Sequence, residues 1–100
     1  MAWVVVRHRV NDYPLWKRAF EENLSVRNQM GMRGGLILCD DTDPKLLTVA
    51  LECDDLNRVR QYITGPEMKK IMADAGVIGE PDIMFLKELE TVEDIQAKAA

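Results

Sequence analysis

The sequence predicts one α+β domain in which two helices cover a single face of a four-stranded antiparallel sheet. The chain has 100 residues, of which 47% are hydrophobic and 30% charged, and this composition suits one packed core. Its apolar residues change between strand spacing and helix spacing along the chain, with Gly, Pro and Asp clustered between the segments. The predicted order is β-α-β-β-α-β, the split βαβ arrangement.

The first strand and the first helix are predicted by their composition and by their boundaries. Residues 3–10 are rich in β-branched side chains and predict a central strand. Asp12 followed by Pro14 is a favourable helix start, and Gly31 is a favourable residue just beyond a helix end. We therefore expect an amphipathic helix from residue 13 to residue 30.

The rest of the sequence predicts a hairpin, a second helix and a short last strand. Asp54 or Asp55 can cap the second helix, and Gly65-Pro66 interrupts it. Right-handed crossovers place both helices on one face, giving a ferredoxin-like topology. We expect strands at 36–39, 46–53 and 83–86, a helix at 56–75, and a loop with two glycines at 76–81.

Residues 1–88 form the predicted domain and residues 89–100 form a C-terminal tail. Thr91 to Asp94 has the spacing of a capping box before a short apolar stretch. The tail therefore predicts a short helix.

Net charge argues against several classes of partner. The formal net charge is −4 and the sequence pI is about 4.9, whereas nucleic acids and anionic membranes attract clustered Lys and Arg. The chain starts without a charged leader and has no run of eighteen apolar residues. We expect a cytoplasmic protein that binds neither nucleic acid nor membrane.

The two cysteines, Cys39 and Cys53, are placed on the two strands of the predicted hairpin. If Cys39 faces Leu46, the cysteines lie roughly 23 Å apart at about 3.3 Å per residue, too far for a disulfide. We expect both to be reduced core residues. Two such cysteines and one histidine predict no metal site.

The face of the sheet without helices needs a cover. A chain of this size buries only about two-thirds of its unfolded surface, so we expect a homodimer. Arg7 and Arg9 alternate onto this face with Trp3 and would meet the partner subunit. Glu52 on the neighbouring strand is the expected counter-charge.

Asn23 and Arg27 are the most informative pair of polar residues. They continue the helical stripe of Trp16 and Phe20 and therefore point toward the sheet. In a pocket, Arg27 would hold an anionic oxygen and Asn23 would donate to a carbonyl. In the alternative, Arg27 reaches the rim or pairs with a carboxylate such as Glu52.

His8 is the only histidine and shares its strand face with three valines, Val4, Val6 and Val10. It is the natural general base or acid because imidazole titrates near neutral pH. A hydrogen-bonded structural histidine is the alternative. A haem ligand is a third interpretation, although no other residue indicates haem and we expect no cofactor.

Aromatic and methionine side chains predict the walls of a pocket for an aromatic ligand. Methionines on the interrupted second helix would suit an adaptable wall. Packing within the core is the alternative at this helical spacing. The candidates are Tyr13, Trp16, Phe20, Tyr62, Met68 and Met72.

Several segments together resemble one superfamily. They are residues 6–10, Asp12-Tyr13, Trp16, Phe20, Arg27, Gly31, Gly34-Gly35, Glu52, and residues 75–81 ahead of Phe85-Leu86. From about residue 4 to residue 88 the chain resembles small stand-alone proteins of the dimeric α/β-barrel superfamily, of the antibiotic-biosynthesis-monooxygenase-like or cyclase-like kind. The resemblance implies a ferredoxin-like protomer whose sheet packs on that of a second copy to close an eight-stranded barrel.

The resemblance also implies an activity, without selecting one. It implies a cofactor-free monooxygenase or a cyclase/isomerase that acts on an aromatic or enolisable small molecule. The superfamily also contains haem-degrading enzymes and proteins without assigned activity, so a non-catalytic small-ligand-binding or stress-associated dimer is the alternative. Similar proteins often have His at the position of Asn23 and an aromatic residue at that of Cys53. An Asn can hydrogen bond there but cannot transfer a proton.

Overall fold

The computed structural model describes residues 1–99, which fold into one four-stranded sheet and five helices. The predicted tail ends at residue 100, which lies outside the described residues. The strands are β1 (Ala2–Val10), β2 (Met32–Cys39), β3 (Leu46–Cys53) and β4 (Val77–Lys87). The helices are α1 (Tyr13–Glu22), α2 (Leu24–Gln29), α3 (Leu56–Ile63), α4 (Pro66–Asp74) and α5 (Val92–Ala99).

The sheet is antiparallel throughout, with strand order β2-β3-β1-β4. The two central strands, β1 and β3, pair from Ala2 opposite Cys53 to Arg9 opposite Leu46. This order is that of the ferredoxin-like split βαβ motif, so the predicted fold class is confirmed.

The two faces of the sheet differ in what covers them. On the inner face, which carries the helices, Val4, Val6, His8 and Val10 are all buried. On the outer face, Arg7 and its alternate neighbours along β1 are only half-buried or exposed. The core therefore lies between the helices and the inner face.

The first predicted helix is broken in two, which corrects the expectation of one continuous helix. Asn23, between α1 and α2, has φ −90° and ψ 11°, and its backbone N–H donates to the carbonyls of Ala19 and Phe20. Asparagine competes with the backbone for hydrogen bonds and favours such breaks. Beyond α2, Gly31 adopts φ +74°, as expected for a residue that follows a helix end.

Strand β2 begins at Met32, earlier than the predicted 36–39, because a bulge accommodates the glycines. The register shifts between Arg33 and Gly35, which leaves Gly34 without a partner. A Cβ at Gly35 would lie 1.9 Å from the carbonyl oxygen of Ala50. Only glycine permits this close approach.

Strand β4 is also longer than predicted, and it includes most of the expected loop at 76–81. Arg7 pairs with Asp82 and Arg9 with Ile78, so three residues of β4 lie opposite one residue of β1, His8. Gly79 in this bulge adopts φ +74°. Pro81 is tolerated because β4 is an edge strand.

The break in the second predicted helix and the caps of that helix and of the tail occur at the predicted residues. Gly65 and Pro66 separate α3 from α4, and the side chain of Asp55 accepts a hydrogen bond from the backbone N–H of Asn57 at 2.9 Å. In the tail, the hydroxyl of Thr91 accepts from the N–H of Asp94 at 3.0 Å, so the predicted cap of α5 forms.

One of the two cysteine predictions is wrong. Cys53 is buried in the core, but Cys39 is exposed at the end of an edge strand. Cys39 pairs with Leu47, one residue from the predicted partner Leu46, and Cys53 pairs with Met32. Within residues 1–99, no helix is long and apolar enough to cross a membrane.

Candidate active site

A cavity of about 90 Å³ lies between the helices and the inner face of the sheet. Its lining is almost entirely apolar, and His8, Asn23, Arg27 and Tyr62 supply the polar atoms. Apolar side chains complete the wall, namely Val6, Trp16, Ala19, Phe20, Met32, Val49, Leu51, Ile63, Met68, Ile71, Met72 and Ala75.

His8 contributes the unpaired polar atoms of this cavity. Its side chain is only 6% exposed, and neither Nδ1 nor Nε2 has a hydrogen-bond partner among the described residues. Its ring centroid lies 5.8 Å from that of Trp16. Buried polar groups are nearly always paired, and an unpaired one costs about 1–3 kcal/mol.

His8 lies beside an irregular part of the edge strand β4. His8 lies opposite Leu47 of β3, but on the other side it faces the bulge of β4 and has no Cα partner there. Bulges often occur next to active sites, where they change the direction of a side chain.

Burial lowers the pKa of His8 below its ordinary value of 6.5 because the apolar surroundings disfavour the imidazolium. The ring is therefore neutral at pH 7. A neutral imidazole has one N–H donor and one nitrogen that can accept a proton. Such a group can act as a general base toward an acidic hydroxyl.

Asn23 and Tyr62 meet across the cavity wall. The Nδ2 of Asn23 donates to the hydroxyl of Tyr62 at 3.4 Å, at the long end of the hydrogen-bonding range. Asn23 is directed inward by the break between α1 and α2, and Tyr62 by the inward face of α3. The pair supplies a donor amide and a hydroxyl to the cavity.

Arg27 is held by Phe20 rather than by a carboxylate. Its guanidinium lies 3.6 Å from the centre of the Phe20 ring, and Nη1 donates to the Phe20 carbonyl. That carbonyl is at the C-terminal end of α1, where it also accepts the backbone N–H of Asn23, and a cationic side chain there complements the last carbonyls of a helix. No ion pair of Arg27 occurs within residues 1–99, so the expected alternative partner Glu52 is not found.

Burial lowers the pKa of Arg27 from its ordinary value, while the nearby Tyr62 raises it. An arginine remains charged at neutral pH despite such a change. One N–H and one face of the guanidinium contact Phe20, which leaves other donors for an anionic oxygen.

The aromatic wall is smaller than predicted, because Tyr13 lies outside it. Trp16 and Phe20 stack at 5.0 Å between ring centroids and both line the cavity. Tyr13 stacks on the far side of Trp16 at 5.9 Å and is 38% exposed. Tyr13 is the first residue of α1, one turn before Trp16, and it does not line the cavity.

Met68 and Met72 of α4 line the cavity. A volume of about 90 Å³ holds about three waters and is below the roughly 300–1,000 Å³ of typical ligand pockets. Methionine side chains can change rotamer at little energetic expense. Enlargement of the cavity would therefore begin on the α4 side.

Arg7 and Arg9 lie on the outer face, and neither pairs with Glu52 within residues 1–99. Arg7 lies 3.9 Å from Asp40, and Arg9 pairs with Asp43. Both carboxylates belong to the turn between β2 and β3, whereas Glu52 lies at the far end of β3. Register, which the sequence does not reveal, decides which charges meet.

Sequence reasoning missed several wall residues of the cavity. Met32 is contributed by the part of β2 that was not predicted, and Ile71 by the inward face of α4. The three- and four-residue spacing of Met68 with Ile71 and Met72 was the available signal.

Solved structures with the same architecture cover nearly the whole chain. An antibiotic biosynthesis monooxygenase matches with a TM-score of 0.63 at 10% identity, covering 90% of this chain and 100% of that chain. The cofactor-independent oxygenase SnoaB from Streptomyces nogalater matches with a TM-score of 0.69 at 12% identity, covering 91% and 95%. The chain has the fold of the antibiotic biosynthesis monooxygenases.

This fold also occurs in proteins whose names give no activity. A conserved protein from Methanosarcina mazei Go1 matches with a TM-score of 0.65 at 16% identity, covering 88% of this chain and 92% of that chain. No family model and no curated protein matches the sequence. The fold implied by the residue pattern is thus confirmed. Because one fold can have many functions, the residues of the site decide the function.

Proposed function

We propose that the chain is a cofactor-independent oxygenase that deprotonates a small aromatic or enolisable molecule with His8. The observation that carries this proposal is the neutral, unpaired imidazole of His8 in an apolar cavity. The likeness in fold to an oxygenase that needs no cofactor supports it.

The cavity residues have distinct roles in this proposal. The acceptor nitrogen of His8 removes the proton of a phenol or enol, and Arg27 stabilises the resulting oxyanion. Asn23 donates to a second oxygen of the ligand, while Trp16 and Phe20 contact its ring. The electron-rich anion is then the reductant in an apolar site.

Dioxygen is the oxidant in the complete reaction. The ring carbon of the enolate forms a C–O bond with O₂, and the peroxide loses water. A CH₂ group becomes C=O, one oxygen atom is retained, and the other leaves as water with both hydrogens. The four electrons lost by the carbon equal the four gained by O₂, so no further reductant is needed.

The size of the cavity restricts the ligand. An apolar cavity of about 150 Å³ can hold benzene, which exceeds the 90 Å³ present here. A single ring therefore requires a modest displacement of Met68 and Met72, and a polycyclic ligand requires movement of α4. Monocyclic phenols and hydroquinones are accordingly the first probes.

Binding and oxygen consumption test the proposal in sequence. We expect hydroquinones and hydroxynaphthalenes to raise the Tm of the protein, and at least one of them to be consumed with uptake of O₂. The His8→Gln variant keeps a polar side chain but has no base, so it should bind without turnover. Turnover by His8→Gln equal to that of the wild type would contradict the role of His8.

A cyclase or isomerase would use the same proton transfer without O₂. A bound probe that is altered under nitrogen as fast as in air would indicate this reaction class. The non-catalytic alternative is favoured by one observation, the small volume of the cavity. Binding without chemical change under either atmosphere would indicate that alternative.

We also propose that the outer face packs on that of a second copy. Exposed apolar side chains occur in a row across this face, with Leu36 at 60% and Met84 at 49% exposure on the two edge strands. Leu36 and Met84 lie on either side of the paired Ala50 and Val5. Such a continuous apolar surface is typical of an interface.

A further inference from the structure

The cavity over His8 has a neighbouring cleft at the protein surface. This cleft, of about 340 Å³, lies between α1 and α4. Ala19, Asn23, Ile71 and Ala75 line both spaces. We call it the α1–α4 cleft.

The wall between the two spaces is thin. Two of its four residues are alanines, and Asn23 is held across it only by the 3.4 Å hydrogen bond to Tyr62. Two of the wall residues, Asn23 and Ala75, are the C-cap residues of α1 and α4. The wall therefore lies where both helices end.

A second cleft, between α4 and β4, is a less favourable route. It shares only Ile63 and Met72 with the cavity. Both are large, and Ile63 is buried in the core. Passage there would displace packed side chains rather than pass between alanines.

The rim of the α1–α4 cleft carries Arg18, Glu22 and Asp74. None of the three forms an ion pair within the part of the chain that the structure describes. Two carboxylates against one guanidinium leave one net negative charge. The rim therefore favours a cationic or neutral polar group over a carboxylate.

We propose that the α1–α4 cleft is the entrance to the cavity and a second subsite of it. The cleft holds a flexible side chain of the ligand, cationic or neutral. This side chain is attached to the ring opposite the acidic hydroxyl. The ligand class is then a phenol with a para side chain ending in an amine or hydroxyl. This inference rests on the proposed binding of a phenol over His8.

Four phenols separate the subsite from the cavity. They are phenol, 4-(3-hydroxypropyl)phenol, 4-(2-aminoethyl)phenol and 3-(4-hydroxyphenyl)propanoate. We expect the hydroxyl and amine probes to bind about tenfold tighter than phenol, because the cleft buries their methylene groups. The propanoate should bind no tighter than phenol. Calorimetry with the wild-type protein gives the four affinities.

Variants in the wall and at the rim locate the route. Ala19→Leu should abolish the higher affinity of the hydroxyl and amine probes over phenol. It should also slow the association of phenol about tenfold. Ala73→Leu is the matched control, because Ala73 is exposed on α4 and lines the other cleft. The exposed Glu22→Lys change should not affect folding, and it should reverse the preference in favour of the propanoate.

The outcomes separate the two proposals. If phenol does not bind the wild type, the proposed function fails and the subsite fails with it. If phenol binds but the hydroxyl and amine probes bind no tighter than phenol, only the subsite is refuted. Slower association in Ala73→Leu and not in Ala19→Leu would place the entrance at the other cleft, which would also overturn the inference.

Discussion

The two faces of the sheet are incomplete in different ways. The inner face is covered by helices, yet it keeps a cavity in which His8 has no hydrogen-bond partner. On the outer face, exposed apolar side chains extend from Leu36 to Met84. Its arginines, Arg7 and Arg9, are already paired with carboxylates of the same chain.

The difference indicates what each face binds. An apolar surface whose arginines are already paired within the chain suits a second apolar surface, because those two charges need no partner from the second copy. A small apolar cavity with an unpaired base suits a small ligand that brings its own acidic proton. Predictions for the two faces can therefore be tested separately.

The largest effect is expected on the outer face. Met84→Asp should raise the dissociation constant of the dimer by at least about 100-fold, because each copy would bury an unpaired carboxylate. Analytical ultracentrifugation measures this constant. Leu24→Asp is the matched control, because Leu24 is equally exposed but lies on α2. A wild-type chain that is monomeric at micromolar concentration would refute the interface.

On the inner face, His8→Leu should stabilise the ligand-free protein. It removes two unpaired nitrogens at similar volume, which should raise the free energy of unfolding by about 1–2 kcal/mol. Each kcal/mol corresponds to roughly 4–8 °C in Tm. The same variant should lose binding of hydroquinone. If His8→Leu lowers the Tm by several degrees instead, His8 is a structural residue.

Arg27→Met should separate ligand binding from folding on the same face. It keeps an apolar stem beside Phe20 but removes the charged donors, so hydroquinone affinity should fall about 10- to 100-fold. Stability should fall by only about 1 kcal/mol, from the lost bond to the Phe20 carbonyl. If the substitution lowers the free energy of unfolding by more than it lowers the free energy of hydroquinone binding, Arg27 acts only as a cap of α1.

Acid should destabilise the protein through His8. Its folded pKa is lowered, so the unfolded chain binds the proton first, and stability is complete above about pH 6.5 and lost as pH falls below it. The Tm should therefore drop between pH 7 and pH 5.5 in the wild type and not in His8→Leu. The pKa values of Asp40 and Asp43 are lowered by bonds with Thr42 and Arg9, so both carboxylates titrate below this window.

The smallest effect is expected from the tail. Deleting residues 91–100 removes α5, near which Leu89 is 93% exposed, and surface changes of this kind alter the Tm by less than about 4 °C. Circular dichroism should give an unchanged folded spectrum. A weaker dimer after the deletion would mean that α5 contacts the partner subunit.

The sequence predicted the order of the elements because local signals decide it. Alternating valines identify β1, and Gly31, Gly65 and Thr91 mark helix ends by backbone chemistry that acts within a few residues. The bulges of β2 and β4 could not be predicted, since glycine and proline there act only against a neighbouring strand.

Part of the candidate site has a signal in the sequence. Helical spacing places Trp16, Asn23 and Arg27 on one stripe, and all three line the cavity, but the spacing does not reveal the break at Asn23. That break presents the Phe20 carbonyl that Arg27 contacts. The unpaired state of His8 depends on every side chain around it, so it requires the folded structure.

The imidazole ¹⁵N resonances of His8 test the central claim most directly. Because the chain has one histidine, they are assigned without ambiguity. At pH 7 we predict a neutral ring in the free protein, and the ring should stay neutral with hydroquinone bound because burial disfavours the imidazolium. The resonance of its acceptor nitrogen should move upfield as that nitrogen accepts a hydrogen bond from the ligand hydroxyl. An acceptor nitrogen whose resonance does not move at saturating hydroquinone would contradict the role of His8 as the base.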